Sequence, residues 1–329
     1  MTTEQHNYDV IIIGGGPVGF SCGIEATLRG YNYLMIEKGC LVNSIFHFPT
    51  NMTFFSTSER LEIGEVPFIS HGYKPTRREA LEYYRRVKEK WDLNVAIRER
   101  VTDAEGEFGN YRVKTDKGVY FSKAVIIATG FYDHPNLMNV PGEHLPKVKH
   151  YFDEPHPYAF QKIAVVGAGN SSVDVALETF RRSAEVTMVI RESEMKSSVK
   201  YWVRPDIDNR ISEGSIKAYF NSEICDIRET DIDIRTPEGI ITIENDYVLA
   251  MTGYRPDYSF LKHLGIAISN DESQTPVYNE DTFESNRAGM FLAGVVCGGL
   301  NTGRWFIENA HDHSTRIFNR LDTLFNRKK

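Results

Sequence analysis

Val10-Ile11-Ile12-Ile13 is an unbroken apolar run, as expected of a parallel strand buried on both faces. Glycines follow at once, then a helical stretch to Arg29, with Gly30 where a helix ends in a left-handed residue. Leu34-Met35-Ile36 reads as the next strand, so a β-α-β unit closes within the first 37 residues. Thr76-Arg77-Arg78-Glu79 has capping-box spacing and opens a helix with Ala80, Tyr84, Val87 and Trp91 on one face. Strand-like runs lie between Leu93 and Thr115. Ala124-Val125-Ile126-Ile127-Ala128 is another buried strand, stopped by Thr129-Gly130.

A Pro- and His-rich stretch from His134 to Pro157 separates this pattern from its repetition. Ile163-Ala164-Val165-Val166 is a strand, a glycine-rich turn follows, Ser171 to Arg182 reads as a helix, and Glu185 to Ile190 as a strand. This internal repeat is the main organisational fact. Further strands are expected at Ile224 to Arg228, Asp231 to Arg235, Ile240 to Ile243, Tyr247 to Met251 and Met290 to Ala293. A final helix is expected from about Thr302 to Leu321.

The 329 residues suggest two domains, at roughly 150 residues each. With 41% hydrophobic and 25% charged residues, the chain can bury enough apolar surface to fold. A net charge of −7 argues against nucleic acid or an anionic membrane as partner. Cys22, Cys40, Cys225 and Cys297 contain no C-x-x-C pair, which removes a zinc ribbon and a thioredoxin-type dithiol. Val10 to Ile24 and Ala288 to Gly303 are the longest uncharged runs, shorter than the ~18 residues a bilayer span needs. No signal peptide is visible, and the expected location is cytoplasmic.

Gly14-Gly15-Gly16-Pro17-Val18-Gly19 is a full G-x-G-x-x-G between strand and helix, with Glu37 ending the next strand. Gly14 permits the tight turn, Gly16 the approach of a pyrophosphate, and Gly19 close helix-to-strand packing. The helix start supplies N–H groups to the phosphates, and Glu37 can accept ribose hydroxyls. The second site, Gly167-Ala168-Gly169-Asn170-Ser171-Ser172, has Ser172 for the third glycine and Arg191 where an acid would stand. Arginine pairs with a 2′-phosphate, which an acid would repel, so this site reads as one for NADPH, with Lys196, Lys200 and Arg204 nearby. Two such sites imply that one holds FAD and the other the nicotinamide nucleotide.

Beyond these motifs the chain carries Ile36-Glu37-Lys38-Gly39, Asn43-Ser44-Ile45 and Gly64-Glu65-Val66-Pro67-Phe68-Ile69. It also carries Ile127-Ala128-Thr129-Gly130, His150-Tyr151-Phe152, His156-Pro157-Tyr158, Gly253-Tyr254-Arg255-Pro256-Asp257-Tyr258 and Ile307-Glu308-Asn309. In these stretches, over almost its full length, it resembles the YpdA family of bacillithiol disulfide reductases, within the thioredoxin-reductase-like flavoproteins. The resemblance implies an α/β fold of two Rossmann-like three-layer dinucleotide-binding domains, the NADPH domain inserted in the FAD domain. The FAD domain would take residues 1–132 and 253–329, and the NADPH domain 133–252. FAD contacts carry over to Gly14, Gly16, Pro17, Val18, Gly19, Glu37, Lys38, Ser44, Thr129, Gly130, Gly294 and Val295. NADPH contacts fall on Gly167, Gly169, Asn170, Ser171, Arg191, Lys196 and Lys200. Many relatives outside the family have Asp at the position of Val295.

The family usually has cysteine where this chain has Val18, so its thiol chemistry does not carry over to that position. A thiolate attacks a disulfide, and valine cannot. Cys22, one helical turn on, and Cys297, after the last strand, are weak catalytic candidates whose simpler role is packing. Cys225 is expected in the core. His156 and His150 precede the second domain and could touch nicotinamide or substrate, or serve as turn residues. His311 and His313 do not share a helix face, so no metal site is expected.

The expected activity is NADPH-dependent reduction of FAD, followed by electron transfer to a low-molecular-weight disulfide or a small redox protein, in a homo-oligomer. Three alternatives stay open: a ferredoxin or flavodoxin reductase, a flavin monooxygenase, and a redox-sensing flavoprotein with little turnover.

Overall fold

The computed structural model describes residues 7–327. The chain divides into one unit formed by Met1–His134 and Tyr254–Lys329 and a second formed by Pro135–Gly253.

The first unit is built on a seven-stranded sheet. Its order is Val95–Ile97, Tyr33–Glu37, Asn7–Ile13, Val119–Ile127, Asn110–Thr115 and Val101–Glu107. Val119–Ile127 also pairs with Met290–Leu292, parallel, through its last three residues, while its first residues pair antiparallel with Asn110–Thr115. Val10, Ile11 and Ile12 have no exposed surface, which explains why the second half of that strand, Val10–Ile13, is apolar at every position and does not alternate. The register sets Ile13 level with both Ile36 and Ile127, and Ile127 level with Leu292. The loops leaving these strands therefore start at one height.

Helices Pro17–Leu28 and Arg77–Trp91 form where the spacing places them. The capping box is complete: Glu79 N–H donates to Thr76 Oγ1 at 3.3 Å, and Thr76 N–H donates to the Glu79 carboxylate at 2.7 Å. The last helix spans His311–Leu324, starting nine residues later than the pattern suggests. Asn309 is the reason. Its Oδ1 accepts from Phe306 N–H at 2.6 Å and its Nδ2 donates to the Arg304 carbonyl at 3.2 Å, tying residues 304–309 into a turn.

The second unit holds a parallel sheet in the order Lys217–Tyr219, Glu185–Val189, Lys162–Val166, Tyr247–Ala250, Val148–Lys149. Glu223–Ile227, Asp231–Thr236 and Gly239–Glu244 form a separate antiparallel sheet. Cys225 lies at an irregularity between Ile224 and Asp226 and is half-buried, not in the core. The Pro- and His-rich stretch contributes Val148–Lys149 as an edge strand. It is pinned by the largely buried Lys147, whose Nζ donates to the carbonyls of Arg228, Glu229 and Asn245. Helices Asn170–Phe180 and Arg204–Ser212 complete the unit. Both units are thus α/β with parallel sheets at their centres, and the second interrupts the first along the chain, the fold class the sequence implies.

Candidate functional site

In the first unit the loops after Asn7–Ile13, Val119–Ile127 and Met290–Leu292 meet at the carboxyl ends of the strands, where open α/β sheets bind ligands. Gly14 has φ of +110°, and a β-carbon there would stand 2.5 Å from the Ala128 carbonyl oxygen. A β-carbon on Gly19 would stand 2.1 Å from the Gly14 carbonyl oxygen, so the helix can approach the turn only without one. The space where Gly16 would carry a side chain is open. Helix Pro17–Leu28 starts there with no side-chain cap, which leaves its first amides available to phosphate.

Glu37 is buried, and each of its oxygens accepts one amide. Oε2 takes Gly15 N–H and Oε1 takes Gly39 N–H, both at 2.8 Å. Burial pushes its carboxyl up, against the downward pull of the two amides. The carboxylate oxygens keep lone pairs for ribose hydroxyls. Lys38 is held by Asp133 at 2.5 Å, and Ser44 lies on the short helix Asn43–Phe46. Gly130 faces Val295, whose methyl would stand 3.7 Å from a β-carbon there. Gly294 rests directly on Val18. The glycine motif, Thr129-Gly130 and Gly294-Val295 thus close one ring of loops. The open space at Gly16, the uncapped helix start and the buried carboxylate fit an FAD.

Gly294 also donates its N–H to Nδ1 of His313 at 3.0 Å. Nothing in the sequence marks this pair, because the contact crosses 19 residues between a strand end and a helix.

The second unit repeats the arrangement. Gly167 has φ of +125° and approaches the Met251 carbonyl, and the space beside Gly169 is open. Ser172, in place of a third glycine, is buried and donates its hydroxyl to the Gly169 carbonyl at 2.9 Å. Asn170 laces the following loop onto the turn. Its Nδ2 donates to the Ser198 carbonyl at 2.9 Å and its Oδ1 accepts from Lys200 N–H at 2.8 Å. Ser171, beside it, is exposed. Lys200 is occupied by Asp174 at 2.6 Å, and Lys196 stands 3.4 Å from Glu192. Arg191, just after strand Glu185–Val189, is exposed and has no ion-pair partner among the described residues.

Cys22 and Cys297 have no exposed surface, and burial pushes both thiols well above their ordinary range. Cys40 is half-buried with its sulfur 3.6 Å from Asn43 Oδ1. His156 is exposed on a short 3₁₀ turn, and His150 stands 3.5 Å from the buried Glu143.

Two glycine-rich turns in one α/β chain, one closed by a glutamate and one followed by an arginine, define an FAD-dependent oxidoreductase that uses NADPH. Comparison with known proteins agrees. Residues 11–294 match the pyridine nucleotide-disulphide oxidoreductase family. The bacilliredoxin reductase Bdr of Bacillus subtilis is 45% identical over 309 residues, which is 93% of this chain and 95% of that protein. The bacillithiol disulfide reductase Bdr (YpdA) of Bacillus cereus is 42% identical with a TM-score of 0.94, covering 97% of this chain and 100% of its own. Its counterpart from Staphylococcus aureus is 39% identical, also at 0.94, covering 99% and 100%. The chain belongs to the pyridine nucleotide-disulphide oxidoreductase family.

Proposed function

We propose that this protein reduces a low-molecular-weight disulfide at the expense of NADPH, with bacillithiol disulfide as the acceptor, and that it does so without a thiol of its own. Bound FAD supplies the two-electron chemistry that links nucleotide to acceptor. One NADPH and one proton are consumed per disulfide, giving NADP⁺ and two thiols. The names of the Bacillus and Staphylococcus relatives support the acceptor. The observation that carries the thiol-free reading is Val18 at the ring of loops, with Cys22 and Cys297 wholly buried.

In this reading the discontinuous unit holds FAD. Gly14, Gly16, Pro17, Val18 and Gly19 line the pyrophosphate, and Glu37 and Lys38 lie on the ribose side. Ser44, Thr129, Gly130, Gly294 and Val295 complete the site. The unit Pro135–Gly253 holds NADPH through Gly167, Gly169, Asn170 and Ser171, with Arg191 on the 2′-phosphate and Lys196 beside it. Lys200 acts indirectly, because Asp174 holds it. Among the described residues no helix is long and apolar enough to cross a membrane. The four unpaired cysteines suit a reducing cytoplasm. A homo-oligomer is the form proposed, on the general frequency of symmetric dimers.

Val18 also favours a second reading, in which a small redox protein such as a ferredoxin or flavodoxin takes the electrons, since that transfer needs no cysteine. Anaerobic NADPH oxidation by the purified yellow protein separates the two. Dependence on bacillithiol disulfide with thiol release supports the first. Flavin reduction without such turnover, together with turnover on ferredoxin or flavodoxin, supports the second.

A further inference from the structure

The last strand makes its final ladder bond through Ala293 N–H, which donates to the Ile127 carbonyl at 2.9 Å. The next amide, on Gly294, points away from the sheet into a buried region, where it needs another acceptor. His313 provides one from the first turn of the last helix, 1% exposed and with Nδ1 3.0 Å from that amide. The imidazole cannot swing away. Phe283 stacks on it with ring centroids 3.9 Å apart, and Trp305 meets it edge-on at 4.4 Å. A ring nitrogen that accepts from an amide carries no proton, so the proton of His313 sits on Nε2. Nε2 is buried and finds no hydrogen-bond partner among the described residues. The side chain therefore serves one polar contact, the Gly294 amide.

That amide belongs to the residue which rests on Val18, and the next residue, Val295, faces Gly130. We propose that His313 is a positioning residue of the flavin site, whose neutral imidazole orients the Gly294–Gly298 turn against the first glycine motif and against Gly130. Its hydrogen bond to the loop residues assigned to FAD is the one from Gly294 N–H, and it acts through that backbone. The inference rests on the reading above that this ring of loops holds FAD.

Three variants of the full chain test it: His313→Leu, His313→Asn and His313→Gln. The asparagine carbonyl can occupy roughly the place of Nδ1, leucine has no acceptor, and the glutamine carbonyl reaches instead toward the place of Nε2. FAD dissociation constant, the visible flavin band and the flavin midpoint potential are measured for each, beside melting temperature. His313→Leu should bind FAD at least tenfold more weakly, with a displaced band or potential, and His313→Asn should recover most of both. A His313→Leu protein with wild-type FAD affinity, band and potential overturns the proposal. So does a His313→Asn protein no better than His313→Leu. Should His313→Leu fail to fold, the comparison of Asn with Gln decides: Asn near wild type and Gln defective supports the role, and equal behaviour refutes it. A wild-type protein that takes up no FAD would bring down the underlying reading, a result visible before any variant is made.

Discussion

Val18 and Gly294 are in direct contact: a β-carbon on Gly294 would stand 3.1 Å from both Cβ and Cγ2 of Val18. The branched side chain packs against the backbone of the last strand's loop. Glycine is required on the other side twice over, for its φ of +82° and for this approach.

Gly294→Ala should therefore destabilise the protein by about 1–3 kcal/mol, from strained backbone and overpacking together. Adding Val18→Ala removes the γ-methyl contacts but keeps Cβ at 3.1 Å, so it should recover only part of the packing loss and leave the backbone part. Thermal unfolding of the two variants checks this. A Gly294→Ala protein as stable as the parent would show that the loop moves freely away from Val18.

Arg191→Ala should raise the KM for NADPH by about 10–100-fold, the range expected for loss of one or two charge-assisted hydrogen bonds to a phosphate, and leave that for NADH nearly unchanged. Steady-state kinetics with both nucleotides measures it. Equal losses on the two would mean that Arg191 does not read the 2′-phosphate.

Acid should weaken the fold through His313. Burial lowers its pKa to about 4, while the unfolded chain titrates near the ordinary value of 6.5. The charged groups around it are Asp312, His311 and Arg316 on its own helix and Arg304 from the preceding turn. Asp312 pulls upward and the other three add to the depression. A depressed histidine binds its proton more readily when unfolded. Its contribution to stability is present above about pH 6.5 and is lost as pH falls toward 4. Melting temperatures across that window should fall more steeply for the parent than for His313→Asn, and parallel slopes would contradict the assignment.

The strands and glycine turns were legible because their signals are local. An unbroken apolar run followed at once by glycine fixes a parallel strand and its loop within one stretch of chain, as at Val10 to Gly16. That Lys200 is held by Asp174 while Arg191 has no ion pair among the described residues was not legible, since the Lys200–Asp174 pairing spans 26 residues. The edge strand Val148–Lys149 was hidden among prolines and histidines, where two residues carry no periodicity. The last helix starts at His311 rather than near Thr302 because side-chain bonds from Asn309 override helical propensity in residues 304–309. The role of His313 depends on a contact that only the folded chain creates.

The most direct test of the central claim is thiol release from bacillithiol disulfide by a flavin-loaded variant in which all four cysteines are replaced, assayed anaerobically with NADPH. The account predicts two thiols per NADPH at a rate within about twofold of the parent, because no protein thiolate takes part. Loss of disulfide reduction in the variant, with NADPH still reducing its flavin, would contradict it and make one of the cysteines part of the chemistry.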